Sequence, residues 1–270
     1  MAFETILTER RGHILIVTMN RPEHGNGLMP KMRAELQETS LEFKNNDDIW
    51  VEILTGAGDD FCLGGDADIM ANRDTPGYLG ASGRPATPKR PGLQNRDDGG
   101  RINNPKQNHC YKPFIVAVNG GCRSGALHFV VDSDICICSE NATFWDDHPS
   151  LPSVVLFESI QLARRIPYEA ASRMMLMGKF EKMSAQRAYQ IGLVSEVVPK
   201  EKLLDRAVEI AEKIVQSDIY SHIGTIEALF KGQDLGLTQA LHQGLMFRQI
   251  QSYNRQIDQK LDELAAGTPA

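Results

Sequence analysis

The sequence predicts an α/β protein, and three observations carry that expectation. Apolar, β-rich runs at 14–20, 49–55 and 112–119 recur along the first half, with a segment of helical period at 30–43 between the first two. The run from Lys112 to Asn119 is continuously apolar at its centre, as a strand covered on both faces of a parallel sheet must be. From Ile160 onward the periodicity is almost entirely helical. Strands alternating with helices, followed by a helical last third, predict an α/β core with a helical appendage.

Each element has a local reason. Ile14–Asn20 is a strand ended by the turn chemistry of Arg21-Pro-Glu-His-Gly-Asn-Gly27. Pro30–Phe43 is a helix, with Met32, Leu36, Leu41 and Phe43 spaced to share a face, and Asn45–Asp48 closes it. Ile49–Thr55 is a second strand stopped at Gly56-Ala-Gly58. After Lys112–Asn119 comes a turn at Gly120–Gly125, a helix at Ala126–Val131, and short strands at Asp134–Cys138 and Ala142–Phe144. Helices are expected at 160–165, 168–177, 184–191, 200–215, 217–230 and 235–264. Residues 1–200 are expected to form the core and 201–270 a helical C-terminal region.

The composition narrows the function. In 270 residues, 41% are hydrophobic and 24% charged, with a formal net charge of -6. A collagen-like or mostly disordered chain is excluded by that balance, and the acidic charge without a basic stripe argues against nucleic-acid binding. No apolar stretch approaches the ~20 residues that a membrane-spanning helix needs. The N-terminus lacks the pattern of a signal peptide, so a cytoplasmic location is expected. The five cysteines, at 62, 110, 122, 136 and 138, contain no Cys-x-x-Cys pair, and they read as reduced, buried thiols. His13, His24, His109, His222 and His242 form no ligand-like pair, and no metal is expected.

One stretch is lopsided. Thr75–Pro105 holds eleven of the chain's Gly and Pro residues and almost no apolar period. A stretch of this length and composition reads as a lid or binding loop. Two other glycine turns invite chemistry: Phe61-Cys-Leu-Gly64-Gly65-Asp66, and Asn119-Gly-Gly-Cys-Arg-Ser-Gly125-Ala126. Glycine allows close backbone approach to a ligand, and a helix opening at Gly125 would aim a free N–H outward. Two N–H groups aimed at one oxygen make an oxyanion hole.

Taken in order, these pieces resemble the crotonase, or enoyl-CoA hydratase/isomerase, superfamily. The matching pieces are Asn20-Arg-Pro-Glu, Val51–Gly56 with Asp60–Asp66, Lys112–Gly120, Asp134-Ile with Ala142-Thr-Phe144, Met177-Gly178, and Ala188–Pro199. The resemblance implies a spiral of ββα units, a C-terminal helical region used for trimerisation, and an acyl-CoA thioester as substrate. It implies no separate cofactor, coenzyme A being part of the substrate, and a homotrimer or dimer of trimers. It places the two oxyanion-hole N–H groups at Gly65 and Gly125. It puts coenzyme A contacts at Arg21, His24, Gly64, Asp66 and Ala67. Arg84, Lys89, Arg90, Arg96 and Arg101 of the long loop read either as further phosphate contacts or as a solvated charge run.

The departures are as informative. A hydratase of this family carries two catalytic glutamates, and the matching positions here hold His128 and His148. The helix-start Gly-Gly-Gly is Ser124-Gly125-Ala126, and a glycine-rich segment is replaced by Val155–Ser159. Histidine titrates near neutrality and can serve as acid or base. The catalytic candidates are therefore His128, His148, Glu158 and Asp147, with Asp146 or Asp147 orienting the His148 ring. Three outcomes stay open: hydratase or isomerase chemistry with atypical acid–base groups, hydrolysis of a carbon–carbon or thioester bond, and a catalytically silent CoA-binding subunit. His128 also fits a plain core histidine, and Glu158 a helix-start carboxylate.

Overall fold

A computed structural model describes residues 3–66, 103–150 and 154–265. Ala67 and most of the expected loop at 75–105 lie outside the described residues. The last residues of that stretch, Asn103–Pro105, are buried, and Asn104 Nδ2 donates to the His128 carbonyl at 3.1 Å.

A six-stranded sheet carries the fold, in the order β1 (Ile6–Arg11), β2 (Ile14–Met19), β3 (Val51–Gly56), β4 (Phe114–Val118), β6 (Ile135–Ser139) and β9 (Glu196–Val198). The β1–β2 pair is antiparallel and the other pairs are parallel. Alternation along β2, β3 and β4 sends side chains to two cores. Leu15, Val17, Leu54, Phe114 and Val116 share one core with Met32, Leu36 and Phe43 of α1 (Pro30–Asn45). Ile14, Ile16, Ile53, Ile115 and Ile137 meet Leu203, Ala207, Val208 and Ala211 of α6 (Leu203–Ile214). The continuous apolar character of these strands thus follows from having a helix on each face.

A smaller sheet sits behind the site, with β5 (Gly121–Arg123), β7 (Thr143–Trp145) and β8 (Met183–Ser184) in that order. Its first strand corrects the expected turn at 120–125. Phe61 and Cys62 both donate to the Gly121 carbonyl, and Asp60 Oδ1 accepts from the Gly121 N–H at 3.1 Å. Gly120 approaches the Asp59 carbonyl so closely that a Cβ there would lie 1.8 Å from its oxygen. These glycines mark crowding of backbone on backbone, which a sequence shows in the same way as a loop. The strand β1 was also not anticipated. It is an edge strand with only Ile6 buried, and its Glu9, Arg10 and Arg11 carry no alternating apolar signal.

The remaining helices are α2 (Leu127–Asp132), α3 (Phe157–Arg165), α4 (Tyr168–Met177), α5 (Ala185–Gln190), α7 (Ile219–Gly232) and α8 (Leu237–Ala265). Helices α7 and α8 pack on each other. Leu241, Leu245, Ile250, Ile257 and Leu261 of α8 stand exposed in the single chain. No helix among the described residues is long and apolar enough to cross a membrane. All five cysteines are buried and unpaired, and burial pushes the Cys62 and Cys136 thiols up to about 12, as befits inert core residues.

Candidate active site

Two backbone turns meet at the centre of the site. Gly64 sits at φ +77°, the left-handed region that favours glycine, and a Cβ there would lie 2.8 Å from the Arg123 carbonyl and 3.4 Å from the Gly125 nitrogen. The Gly64 carbonyl accepts from Leu28 N at 2.7 Å, and Gly65 bridges Leu28 in parallel fashion. Gly125 is the second residue of a 3₁₀ turn, Ser124–Ala126, that leads directly into α2. The first N–H groups of such a helical start have no intrahelical acceptor. The structure therefore brings together the two glycine turns that the sequence singled out.

The turn from Arg21 to Gly27 buttresses this junction. Arg21 Nη1 donates to Asp66 Oδ2 at 2.6 Å and to the Gly27 carbonyl at 3.2 Å. Asp66 is buried, so its carboxylate is neutralised by Arg21. His24 lies more exposed, in the short 3₁₀ turn before Gly25. Arg21, His24, Gly64 and Asp66, expected from the resemblance to contact coenzyme A, thus share one rim of the site. Sequence reasoning missed the residues that knit this rim. Asn26 is fully buried at φ +52° and donates to the Ala57 and Asp60 carbonyls, while Asn119 reaches the Gly58 and Asp60 carbonyls. The available signal was an Asn between two glycines, since Asn tolerates the left-handed region better than most residues.

The candidate acid–base residues form two imidazole–carboxylate pairs. His128, on α2, places Nε2 3.1 Å from Glu158 Oε1 in the first turn of α3, and both side chains are buried. His148 places Nδ1 2.8 Å from Asp146 Oδ1, which also accepts from the His148 backbone N–H at 2.9 Å. The hydrogen bond to Asp146 raises the His148 pKa above its ordinary 6.5 against the opposing effect of burial, and the charges of Asp146, Glu158 and Asp147 add to the rise. Burial pushes Glu158 upward, but the His128 hydrogen bond and charge outweigh it, so its carboxyl is held below the ordinary 4.5. The second oxygen of Asp146 is buried without a hydrogen-bond partner among the described residues, so His148 is the counter-group recorded for that carboxylate.

One assignment is corrected. Asp147, placed with the catalytic candidates as a possible partner of His148, faces the other way. Its Oδ1 accepts from Ser124 Oγ at 2.6 Å, and its backbone N–H donates to the same hydroxyl at 3.1 Å. The ring of His148 is held by Asp146 alone of the two. Adjacent residues leaving a strand point to opposite sides, and Asp146 and Asp147 follow β7 directly.

Atoms of Asp146, His148 and Glu158 lie within 4.8 Å of one another, a spacing that ion ligands can adopt. Sequence reasoning looked for histidine pairs in helical register and did not find this group. The oxygens that face imidazole are already engaged, Asp146 Oδ1 by His148 and Glu158 Oε1 by His128. The arrangement as it stands is one of proton-bearing rings against carboxylates, which suits proton transfer.

The comparisons with known proteins agree with this fold. The profile of the family described as Enoyl-CoA hydratase/isomerase matches residues 9–90 and 97–260. The (E)-benzylidenesuccinyl-CoA hydratase of Thauera aromatica is 33% identical over 240 residues, spanning 87% of this chain and 86% of that protein. Enoyl-CoA hydratase EchA19 of Mycobacterium tuberculosis is 35% identical over 218 residues, spanning 77% of this chain and 73% of that one. A crystal structure of an enoyl-CoA hydratase/isomerase from Mycobacterium paratuberculosis superposes with a TM-score of 0.81 at 37% identity, covering 92% of this chain and 90% of that one. With its parallel sheet, its helical C-terminal region and the paired glycine turns in place, the chain belongs to the enoyl-CoA hydratase/isomerase family, the crotonase superfamily.

Proposed function

We propose that the protein reversibly adds water across the α,β-double bond of an enoyl-CoA thioester, using His148 and Glu158 where relatives use a glutamate pair. The observation that carries this reading is the clustering of Glu158 and His148 within 4.8 Å, tied to the Gly125 turn through the Ser124–Asp147 hydrogen bond, with Gly64 against Gly125. In the hydration direction, Glu158 takes a proton from water as the water oxygen bonds to Cβ. The π electrons move onto the thioester oxygen, and the Gly65 and Gly125 N–H groups stabilise the enolate. His148, in its protonated form, then delivers a proton to Cα. Glu158 is left protonated and His148 neutral, and their proximity allows the proton to return to the ring and reset the site. His128 does not touch the reacting atoms in this scheme; it keeps Glu158 ionised.

Arg21 and His24 contact the coenzyme A nucleotide from this rim, Arg21 held in place by Asp66, and the backbone of Gly64 and Asp66 meets the pantetheine arm. The benzylidenesuccinyl- and enoyl-CoA hydratase relatives support a water-adding enzyme over an isomerase. The His148–Asp146 pair favours one second reading: a hydrolase that uses the ring as a base to activate water against the carbonyl of a β-ketoacyl-CoA.

The test is turnover of crotonyl-CoA and of a β-ketoacyl-CoA by the purified protein and two variants. Conversion of crotonyl-CoA to 3-hydroxybutyryl-CoA is expected, with Glu158→Gln and His148→Ala each lowering kcat by about 10²-fold or more. Cleavage of the β-ketoacyl-CoA alone would support the hydrolase instead. Coenzyme A binding without turnover of either would overturn both.

A further inference from the structure

Ser124 stands where the helix start of relatives carries a glycine, and its backbone shows why glycine would be easier. It adopts φ +48°, a left-handed conformation that strains an ordinary side chain. A non-glycine residue persists there when its surroundings over-determine it. Here the side chain is held by Asp147. The Ser124 hydroxyl donates to Asp147 Oδ1 at 2.6 Å and accepts from the Asp147 N–H at 3.1 Å, a reciprocal pair in which Ser124 is buried and Asp147 half-buried. Charge-assisted bonds of this kind are among the stronger ones available to a hydroxyl. The parallel pairing of Arg123 with Trp145 sets the two residues side by side, and Arg123 Nε adds positive charge 3.6 Å from the same Asp147 oxygen.

The position of this pair is what gives it a role. Ser124 immediately precedes Gly125, and Asp147 immediately precedes His148. The hydroxyl therefore ties the segment that orients the Gly125 N–H to the segment that carries the His148 ring. We infer that Ser124 and Asp147 form a latch that positions the oxyanion donor and the acid–base loop relative to each other, making both positioning residues for the reaction. The inference rests on the reading of Gly125 as an oxyanion donor. It explains how the site does without glycine at 124 and why Asp147 turns away from the adjacent histidine.

The experiment uses a substrate analogue, 4-dimethylaminocinnamoyl-CoA, whose absorption moves to longer wavelength when its thioester oxygen is hydrogen-bonded. The native protein should shift it. Absence of any shift in the native protein, with the analogue bound, would overturn the oxyanion reading and the latch with it. If the native shift is present, Ser124→Ala and Asp147→Ala should each lose at least half of it and lower kcat for crotonyl-CoA by about tenfold or more, with KM changed less than threefold. Asp147→Asn keeps an acceptor oxygen and the backbone N–H, and should restore most of the shift, which also guards against misfolding of the alanine variant. A full shift and a kcat within twofold of native in Ser124→Ala would overturn the latch while leaving the oxyanion reading intact.

Discussion

Two buried glutamates, one in the sheet and one in the site, meet the cost of burial in opposite ways. Glu52 lies on β3 with Leu15 and Phe114 as its strand partners, and its Oε2 is buried without a hydrogen-bond partner among the described residues. Burial pushes its pKa up to about 8, with the charge of Glu42 adding to the rise. Glu158 is equally buried, yet its pKa falls below the ordinary value because His128 faces it. The first carboxyl escapes burial by taking up a proton; the second is kept charged by its neighbour. Burial alone therefore does not make a carboxylate reactive. What distinguishes the site is the imidazole facing the carboxyl, which keeps the group ready to accept a proton at neutral pH.

Removing the partner should collapse that distinction. His128→Ala turns Glu158 into a second Glu52, a buried carboxyl that loses its facing imidazole and is driven to take up a proton. A loss of about 3 kcal/mol of stability at neutral pH is expected, measured by denaturant unfolding. The sign of the pH dependence follows from the lowered pKa. In the native protein Glu158 contributes stability that is present above 4.5 and is lost as pH falls through its folded value. In His128→Ala that contribution should vanish, and an unchanged acid limb would show that His128 does not hold the carboxylate ionised.

Glu52 responds with the opposite sign. Its folded pKa lies above its unfolded one, so its contribution is full below 4.5 and is lost as pH rises towards about 8. Glu52→Gln should therefore raise Tm by roughly 5 °C at pH 9 and hardly at all at pH 4.5, as read by calorimetry. Equal Tm differences at both pH values would show that Glu52 is not held protonated by burial.

The smallest expected effect is a displacement along the pH axis. If the protonated ring of His148 is the acid, the basic limb of kcat/KM lies above the ordinary histidine value of 6.5, because Asp146 raises it. Asp146→Asn removes the main cause of that rise and should move the limb to lower pH. A limb that stays in place would separate Asp146 from the proton-transfer step.

Most of the strands and helices were legible because their signals are local. The apolar run at 112–119 became β4, the period at 30–43 became α1, and the helix expected at 168–177 is α4. The failures share a cause. Gly121–Arg123 carries too few side chains to declare itself a strand, and its pairing depends on Cys62 and Phe144 from distant parts of the chain. In the site, the glycine turns were legible because close backbone approach leaves a glycine signature. The partners of the histidines were not. Asp146 and Asp147 are the same chemistry at neighbouring positions, and only the direction in which the chain leaves β7 sends one to His148 and the other to Ser124.

The sequence by itself determined the alternating α/β order and the two glycine turns, and it singled out His128 and His148. Residue types and short-range periodicity carry that information. Only the tertiary structure decided that His128 meets Glu158 thirty positions along the chain, that Asp146 rather than Asp147 holds His148, and that Glu52 Oε2 has no hydrogen-bond partner among the described residues. Those outcomes depend on how helices and strands pack, and packing sets the distances and burial on which electrostatics depends.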